Sequence, residues 1–178
     1  MEIKERAGYF LLKTKETKVG LVYSNKPKVT DELDLVINAD LKNTYSLTEP
    51  GEYEIKDVFV IVMKKEKGSV YIINVDDINL LLVDAEIDLN EADLDAIGEI
   101  DILIFNDGVA VSSDTAKFVN RIDPQVLLIG GNLAGKKEEL VKTFGEHYVE
   151  EPKKYKVSTT DFDNEEYNLH LVQIIDGK

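Results

Sequence analysis

The sequence predicts an α/β sandwich, an αββα arrangement in which two mixed β-sheets pack face to face with helices outside them. Two observations lead to this prediction. The first half of the chain alternates short apolar runs with turn signals, as antiparallel strands do. The second half alternates apolar runs with amphipathic helical segments, which is typical of parallel β-α units. Because 178 residues is the size of one ordinary domain, we expect a single domain over residues 1–178.

Seven strands are predicted in the first half, each bounded by turn-forming or charged residues. They cover Tyr9–Thr14, Lys18–Ser24, Leu33–Asn38, Glu52–Ile55, Val58–Lys64, Ser69–Val75 and Ile78–Asp84. Lys56-Asp57 and Asp76-Asp77 are two-residue polar connections between successive strands, which indicates tight hairpins although neither contains glycine. The hairpins predict antiparallel pairing.

Helices and strands alternate in the second half of the chain. Helices are predicted from the N-cap residue Asn90 up to Gly98, over Ser113–Arg121, and over Lys136–Phe144, which Gly145 ends. Strands are predicted over Ile100–Phe105 and Val126–Ile129, and the tail from Tyr155 to Ile175 is again strand-like. The resulting β-α order predicts a parallel part of the sandwich.

The composition argues against several functions. The chain has no cysteine, which excludes disulfides, thiolate metal ligands and a cysteine nucleophile, and it predicts a reducing, cytoplasmic compartment. Thirty-five acidic residues against 21 basic ones give a net charge of −14, so we expect no nucleic-acid partner. No membrane partner is expected either, because no segment approaches the ~20 apolar residues of a membrane span.

Several separate segments carry a resemblance to one known family. Glu49–Val58 reads E-P-G-E-Y-E-I-K-D-V and resembles a P-G-E-Y-E-I-x-G-V segment found in small bacterial metallo-β-lactamase-fold hydrolases, in a branch similar to L-ascorbate lactonases. Similar matches to that family follow the same order at Phe10–Lys15, Leu80–Asp84, Ile100–Gly108 and Asn120–Ile129. The resemblance implies the metallo-β-lactamase fold over almost the whole chain.

The same resemblance implies that the metal ligands of the family have been lost. The chemistry of the family needs two metal ions held by imidazoles and carboxylates, which generate hydroxide near neutral pH. Its H-x-H-x-D-H motif falls on Ala39, Leu41, Asn43 and Thr44, and its other histidines fall on Ala7, Leu81 and Gly131. Only the bridging carboxylate position, Asp84, is retained, and the histidines present, His147 and His170, match no ligand position. We therefore expect no zinc site, no catalytic residue and no cofactor.

Two hypotheses about function follow. The first is a pseudoenzyme that acts as a binding or assembly module for an unknown ligand or protein partner, including self-assembly into a homo-oligomer through an exposed sheet or the old cleft. The alternative is a metal-dependent hydrolase with a remodelled carboxylate site around Asp84. The acids that would converge there are Asp40, Asp84, Glu86 and Asp107, and they would suit Mg²⁺ or Ca²⁺. Solvated loop acids that stay apart are the simpler interpretation.

A glycine-rich loop offers a third function, nucleotide binding. Gly130–Lys137 reads G-G-N-L-A-G-K-K, a G-x-x-x-x-G-K pattern placed between a predicted strand and a predicted helix. Lys137 stands where a hydroxyl side chain should hold Mg²⁺. We therefore favour a glycine-rich turn that replaces a lost metal loop.

Overall fold

The computed structural model describes residues 1–30, 32–41, 44–83, 87–106, 108–146, 149–162 and 168–175. In this part of the chain two mixed β-sheets pack face to face, which confirms the predicted α/β sandwich. The strands are β1 (Glu2–Arg6), β2 (Tyr9–Lys13), β3 (Lys18–Val22), β4 (Leu35–Ile37), β5 (Tyr45–Leu47), β6 (Gly51–Ile55), β7 (Val58–Lys65), β8 (Gly68–Val75), β9 (Ile78–Val83), β10 (Ile102–Phe105), β11 (Val126–Ile129), β12 (Tyr155–Lys156) and β13 (His170–Gln173). The helices are α1 (Glu91–Ile97), α2 (Ser113–Ile122) and α3 (Lys137–Phe144).

The first sheet has the order β12-β1-β2-β3-β4-β5 and the second the order β13-β11-β10-β9-β8-β7-β6. Strands β6 to β9 form an antiparallel meander through the two predicted hairpins, closed by the pairs Ile55↔Val58 and Val75↔Ile78. Asp76 and Asp77 have φ angles of 53° and 58°, so the second hairpin has the left-handed turn that matches strand twist. Strands β9, β10, β11 and β13 are parallel, as the β-α order predicts.

Strand alternation divides the apolar residues into layers. The inward side chains of both sheets form one cluster, with Phe10, Leu12, Tyr71 and Ile102 among its members. The outward side chains of β9, β10 and β11 form a second cluster with all three helices. The described helices therefore pack against the second sheet. Loop residues cover part of the outer face of the first sheet, with Val29, Leu33, Ala39 and Leu41 packed on Tyr9, Leu11, Val22 and Val36.

The capping residues behave as the sequence predicts. The Asn90 side chain accepts the Asp93 backbone N–H while the Asp93 carboxylate accepts the Asn90 N–H, so α1 begins with a capping box. Gly98 and Gly145 follow α1 and α3 with φ of 67° and 75°. None of the helices in the described residues has the length and apolar character needed to cross a membrane.

Two strands were not predicted, and one prediction was too long. The strand β1 has no alternating apolar pattern that would predict it, because Ile3 is its one fully buried residue among four charged ones. The strand β5 has only three residues and exposes Tyr45. The strand-like tail resolves into β12, a 3₁₀ turn over Thr159–Asp161 and β13.

Candidate functional site

A cleft of about 440 Å³ lies where strands of both sheets end. Asn38 directly follows β4 of the first sheet, and Asn106 directly follows β10 of the second. The cleft is lined by Tyr23, Ser24, Asn25, Pro27, Asn38, Ala39 and Asn106. In sheets of this kind, ligands usually bind at the carboxyl ends of the strands.

The Asn38 side chain is the centre of a hydrogen-bond network that joins the two sheets. Its amide nitrogen donates to the Val22 carbonyl at 2.8 Å and to the Asn106 side-chain oxygen at 3.0 Å. Its amide oxygen accepts the Tyr71 hydroxyl at 3.0 Å, and Tyr71 projects from β8 with 1% exposure. The Asn38 backbone has φ of 68°, a left-handed conformation that asparagine tolerates better than most residues. Neutral polar groups therefore hold this end of the sandwich together.

Tyr23 forms one wall of the cleft. Its ring packs against Phe10 with the centroids 4.9 Å apart, and its hydroxyl donates to the Glu5 carboxylate at 2.8 Å. Gly130, at the end of β11, lies against both rings: a Cβ there would be 2.9 Å from Phe10 Cζ and 3.0 Å from Tyr23 Cε1. The first glycine of the glycine-rich loop is thus required by close packing beside the cleft.

The position predicted at Ala7 lies in the turn between β1 and β2, next to another wall. The Ala7 carbonyl accepts the Lys28 N–H at 2.8 Å, and the Gly8 carbonyl accepts the Ser24 N–H at 3.2 Å. A Cβ on Gly8 would be 2.9 Å from Pro27 Cα, so the segment that carries Ser24 and Pro27 is packed closely onto this turn. Ala7 itself is exposed and offers a methyl group.

Ala39 and Leu41, onto which the resemblance places two ligands of the H-x-H-x-D-H motif, pack against apolar neighbours. Ala39 lines the cleft and, with Leu41, packs into the apolar cluster on the outer face of the first sheet. Thr44 is half-buried, and its carbonyl accepts the Ser46 hydroxyl at 3.3 Å. Asn43 lies outside the described residues.

Leu81 and Gly131, two further implied positions, are not among the residues that line the cleft. Leu81 is fully buried in the middle of β9, and its side chain belongs to the cluster between the second sheet and the helices. Gly131 opens the 3₁₀ turn after β11 with φ of 57°. Asp84, Glu86 and Asp107 lie outside the described residues, and Asp40 is exposed. Among the residues that the structure describes, no three His, Cys, Asp or Glu side chains lie together as a metal site requires.

His170 lies at the opposite end of the sandwich from the cleft. It pairs with Val126 at the start of β11, whereas the cleft lies beyond the end of that strand. Its side chain is 58% exposed and 3.9 Å from the Glu150 carboxylate. The small cavity beside it, of about 150 Å³, also contains Tyr155, whose pKa is raised to about 12 by burial and by nearby carboxylates. His147 lies outside the described residues.

Three backbone amides of the glycine-rich loop donate hydrogen bonds within the loop itself. The N–H groups of Leu133, Ala134 and Lys136 donate to loop carbonyls in successive turns at 3.2, 3.3 and 2.9 Å. The Leu133 side chain is 3% exposed and belongs to the apolar cluster between the second sheet and the helices. A phosphate loop needs such N–H groups to point at the ligand, so the geometry favours the glycine-rich turn over nucleotide binding.

Comparison with known proteins identifies the fold of the chain. No protein-family model and no curated protein matches the sequence. A solved structure from Thermotoga maritima, described as a candidate zinc-dependent hydrolase of the metallo-β-lactamase superfamily, superimposes with a TM-score of 0.67 at 14% identity, covering 98% of both chains. The chain has the metallo-β-lactamase fold. A variant of the β-hydroxylase CmlA aligns with a TM-score of 0.49 at 8% identity, covering 98% of this chain and 52% of that one.

The residues that the structure describes as lining the cleft carry no formal charge. These residues offer amide, hydroxyl and backbone groups, which can donate and accept hydrogen bonds. The sequence predictions missed Asn38, Asn106 and Tyr71 as site residues. A usable signal was present, because Ile37-Asn38 and Phe105-Asn106 each place an asparagine directly after a buried apolar strand. The ascorbate-lactonase-like branch stays a prediction.

Proposed function

We propose that this chain is a non-catalytic protein of the metallo-β-lactamase fold and acts as a binding or assembly module. The observation that supports this most is the position of Asn38. It directly precedes Ala39, the first position of the H-x-H-x-D-H motif, and its amide joins the two sheets through Asn106 and Tyr71. A neutral amide that is committed to three hydrogen bonds stabilises the end of the sandwich and leaves its side chain without a role in metal binding.

The residues at the described ligand positions do not fit a zinc centre. Catalytic zinc takes about three protein ligands, chiefly imidazole nitrogen and carboxylate oxygen. Ala39, Leu41 and Gly131 have no ligand atom in their side chains, and Leu81 points towards the helices. A hydrolase of this fold would have to use a different set of ligands.

The cleft itself suits a small polar ligand without formal charge. Its volume of about 440 Å³ lies within the range of small-molecule pockets. Ser24 and Asn25 extend the hydrogen-bonding surface that Asn38 and Asn106 begin. A neutral ligand would exchange its hydrogen bonds with water for bonds to these groups without the desolvation of a charge.

The metal content of the purified protein tests this proposal. Protein prepared without chelators is analysed by elemental mass spectrometry, and its melting temperature is measured with and without EDTA. We expect less than a stoichiometric amount of any divalent ion and the same melting temperature in both conditions. One or two bound ions together with a melt that EDTA lowers would overturn the proposal.

If metal is found, two variants identify its ligands. Asp84→Asn removes the one acidic residue at an implied ligand position, and Asp95→Asn, which removes an exposed acid on α1 outside the candidate carboxylate site, is the matched control. Loss of metal and of hydrolytic turnover in the first variant alone would establish the remodelled carboxylate hydrolase in place of the binding module.

A further inference from the structure

The outer face of the first sheet carries a row of lysines at its edge. Residues directly opposite one another across β12, β1, β2 and β3 are Lys156, Glu2, Lys13 and Lys18. Their neighbours along each strand, Val157, Ile3, Leu12 and Val19, point into the core between the sheets. Because side chains alternate along a strand, the row of charges points outward together.

The one acid in this row does not neutralise it. Both carboxylate oxygens of Glu2 are taken by other lysines, since Oε1 lies 3.1 Å from Lys4 and Oε2 lies 3.1 Å from Lys154. Their hydrogen bonds hold the pKa of Glu2 below its ordinary value, as expected in a region of positive potential. Lys4 and Lys154 therefore pair with Glu2, and three further lysines, Lys13, Lys15 and Lys156, line the same groove as Glu2.

These last three lysines have no anionic partner in the part of the chain that the structure describes. Lys13 also lies directly opposite Lys18, a like-charge pairing that destabilises a sheet. Asp57 and Asp76 are nearby, but the first accepts the hydroxyls of Thr14 and Thr17 and the second lies 3.1 Å from the chain's terminal amine. On a chain with 35 acidic residues, unpaired lysines held together indicate an external anion.

The lysines face a groove large enough for a small molecule. Its volume is about 570 Å³, and it is lined by Lys13, Lys15, Lys156, Thr14, Ser158, Thr159, Met1, Glu2 and Asp76. We propose that this groove binds a phosphorylated small molecule that carries at least two negative charges. The lysines supply point charges for phosphate oxygens, and the hydroxyl of Thr159 supplies a directional hydrogen bond. A concave groove of this size fits a compact ligand better than a duplex or a membrane surface.

Calorimetric titration with inorganic pyrophosphate tests the proposal, with sodium chloride at matched ionic strength as the reference. We expect saturable binding to the parent chain and an affinity about tenfold or more lower in the Lys13→Gln/Lys156→Gln double variant. The matched control is Lys67→Gln/Lys142→Gln, which makes the same change in net charge at exposed lysines outside the groove. Its affinity should stay within about twofold of the parent.

Three outcomes would overturn the proposal. The first is absence of saturable pyrophosphate binding to the parent chain. The second is an equal loss of affinity in the control variant, which would show that net charge alone governs binding. The third is tighter binding of a single-stranded oligonucleotide than of pyrophosphate, which would assign the surface to nucleic acid. Because both double variants change only exposed side chains, a melting scan of each should show a folded protein.

Discussion

Replacing Asn38 with alanine removes the centre of the network that joins the two sheets. The change deletes the two bonds donated to Val22 and Asn106, at 2.8 and 3.0 Å, and the bond accepted from Tyr71 at 3.0 Å. At about 1 kcal/mol of net stability per hydrogen bond, the free energy of unfolding should fall by about 3 kcal/mol. For a chain of this length that corresponds to a melting temperature lower by about 6 to 12 °C.

The Asn38→Gly variant distinguishes the contribution of the side-chain hydrogen bonds from the cost of the left-handed backbone conformation. It deletes the same three bonds, but glycine adopts φ of 68° freely, so it should destabilise by about 1 kcal/mol less than alanine. Asn25→Ala is the control, because Asn25 is an exposed amide in the same cleft and its loss should change stability by no more than about 0.5 kcal/mol. Urea denaturation measures all three variants. An Asn38→Ala variant as stable as Asn25→Ala would refute the network's structural role.

Three further predictions follow from packing and charge. Gly130→Ala should lower the free energy of unfolding by about 1 to 3 kcal/mol, because its Cβ would be 2.9 Å from the ring of Phe10, whereas Gly135→Ala, with open space around it, should be neutral in the same urea titration. Leu81→Ala should cost about 3 kcal/mol by calorimetry, since the side chain is fully buried on the helix side; a cost near zero would contradict that placement. The hydrogen bond from the Thr17 hydroxyl lowers the pKa of Asp57 below its ordinary value of 3.8. The ionised Asp57 carboxylate therefore stabilises the fold above pH 3.8, and this stabilisation is lost as the pH falls through the lower pKa of the folded state. Asp57→Asn should therefore flatten the acid side of a plot of melting temperature against pH, and an unchanged acid limb would exclude this contribution.

Much of the fold could be predicted because local signals and long-range structure agree. The polar pairs Lys56-Asp57 and Asp76-Asp77 mark two hairpins, and the structure places two-residue turns at both. Asn90 begins α1, and Gly98 and Gly145 end α1 and α3, as the sequence predicts from the side-chain cap and from the freedom of glycine to adopt positive φ. The strand β1 could not be predicted, because its register depends on distant partners in β2 and β12.

The candidate site was predicted only in outline. The resemblance directs attention to Ala39 and to the ends of the strands, and the cleft lies there. The resemblance also suggests Leu81 as a site position. The side chains of β9 alternate between two apolar layers, and that of Leu81 lies on the helix side of the second sheet. The network of Asn38 and Asn106 joins residues 68 positions apart, and only tertiary structure brings such side chains together. The single-domain organisation and the cytoplasmic compartment stay predictions.

Nuclear magnetic resonance of the side-chain amides during a zinc titration tests the central claim most directly. The Asn38 amide is assigned by the signal that Asn38→Gly removes, and equimolar Zn²⁺ is then added to the parent chain. If a neutral hydrogen-bond network closes this end of the sandwich, the Asn38 and Asn106 amide resonances should stay in place and show slow hydrogen exchange. Stoichiometric shifts of both amides that EDTA reverses would contradict the account and show a metal centre in the cleft.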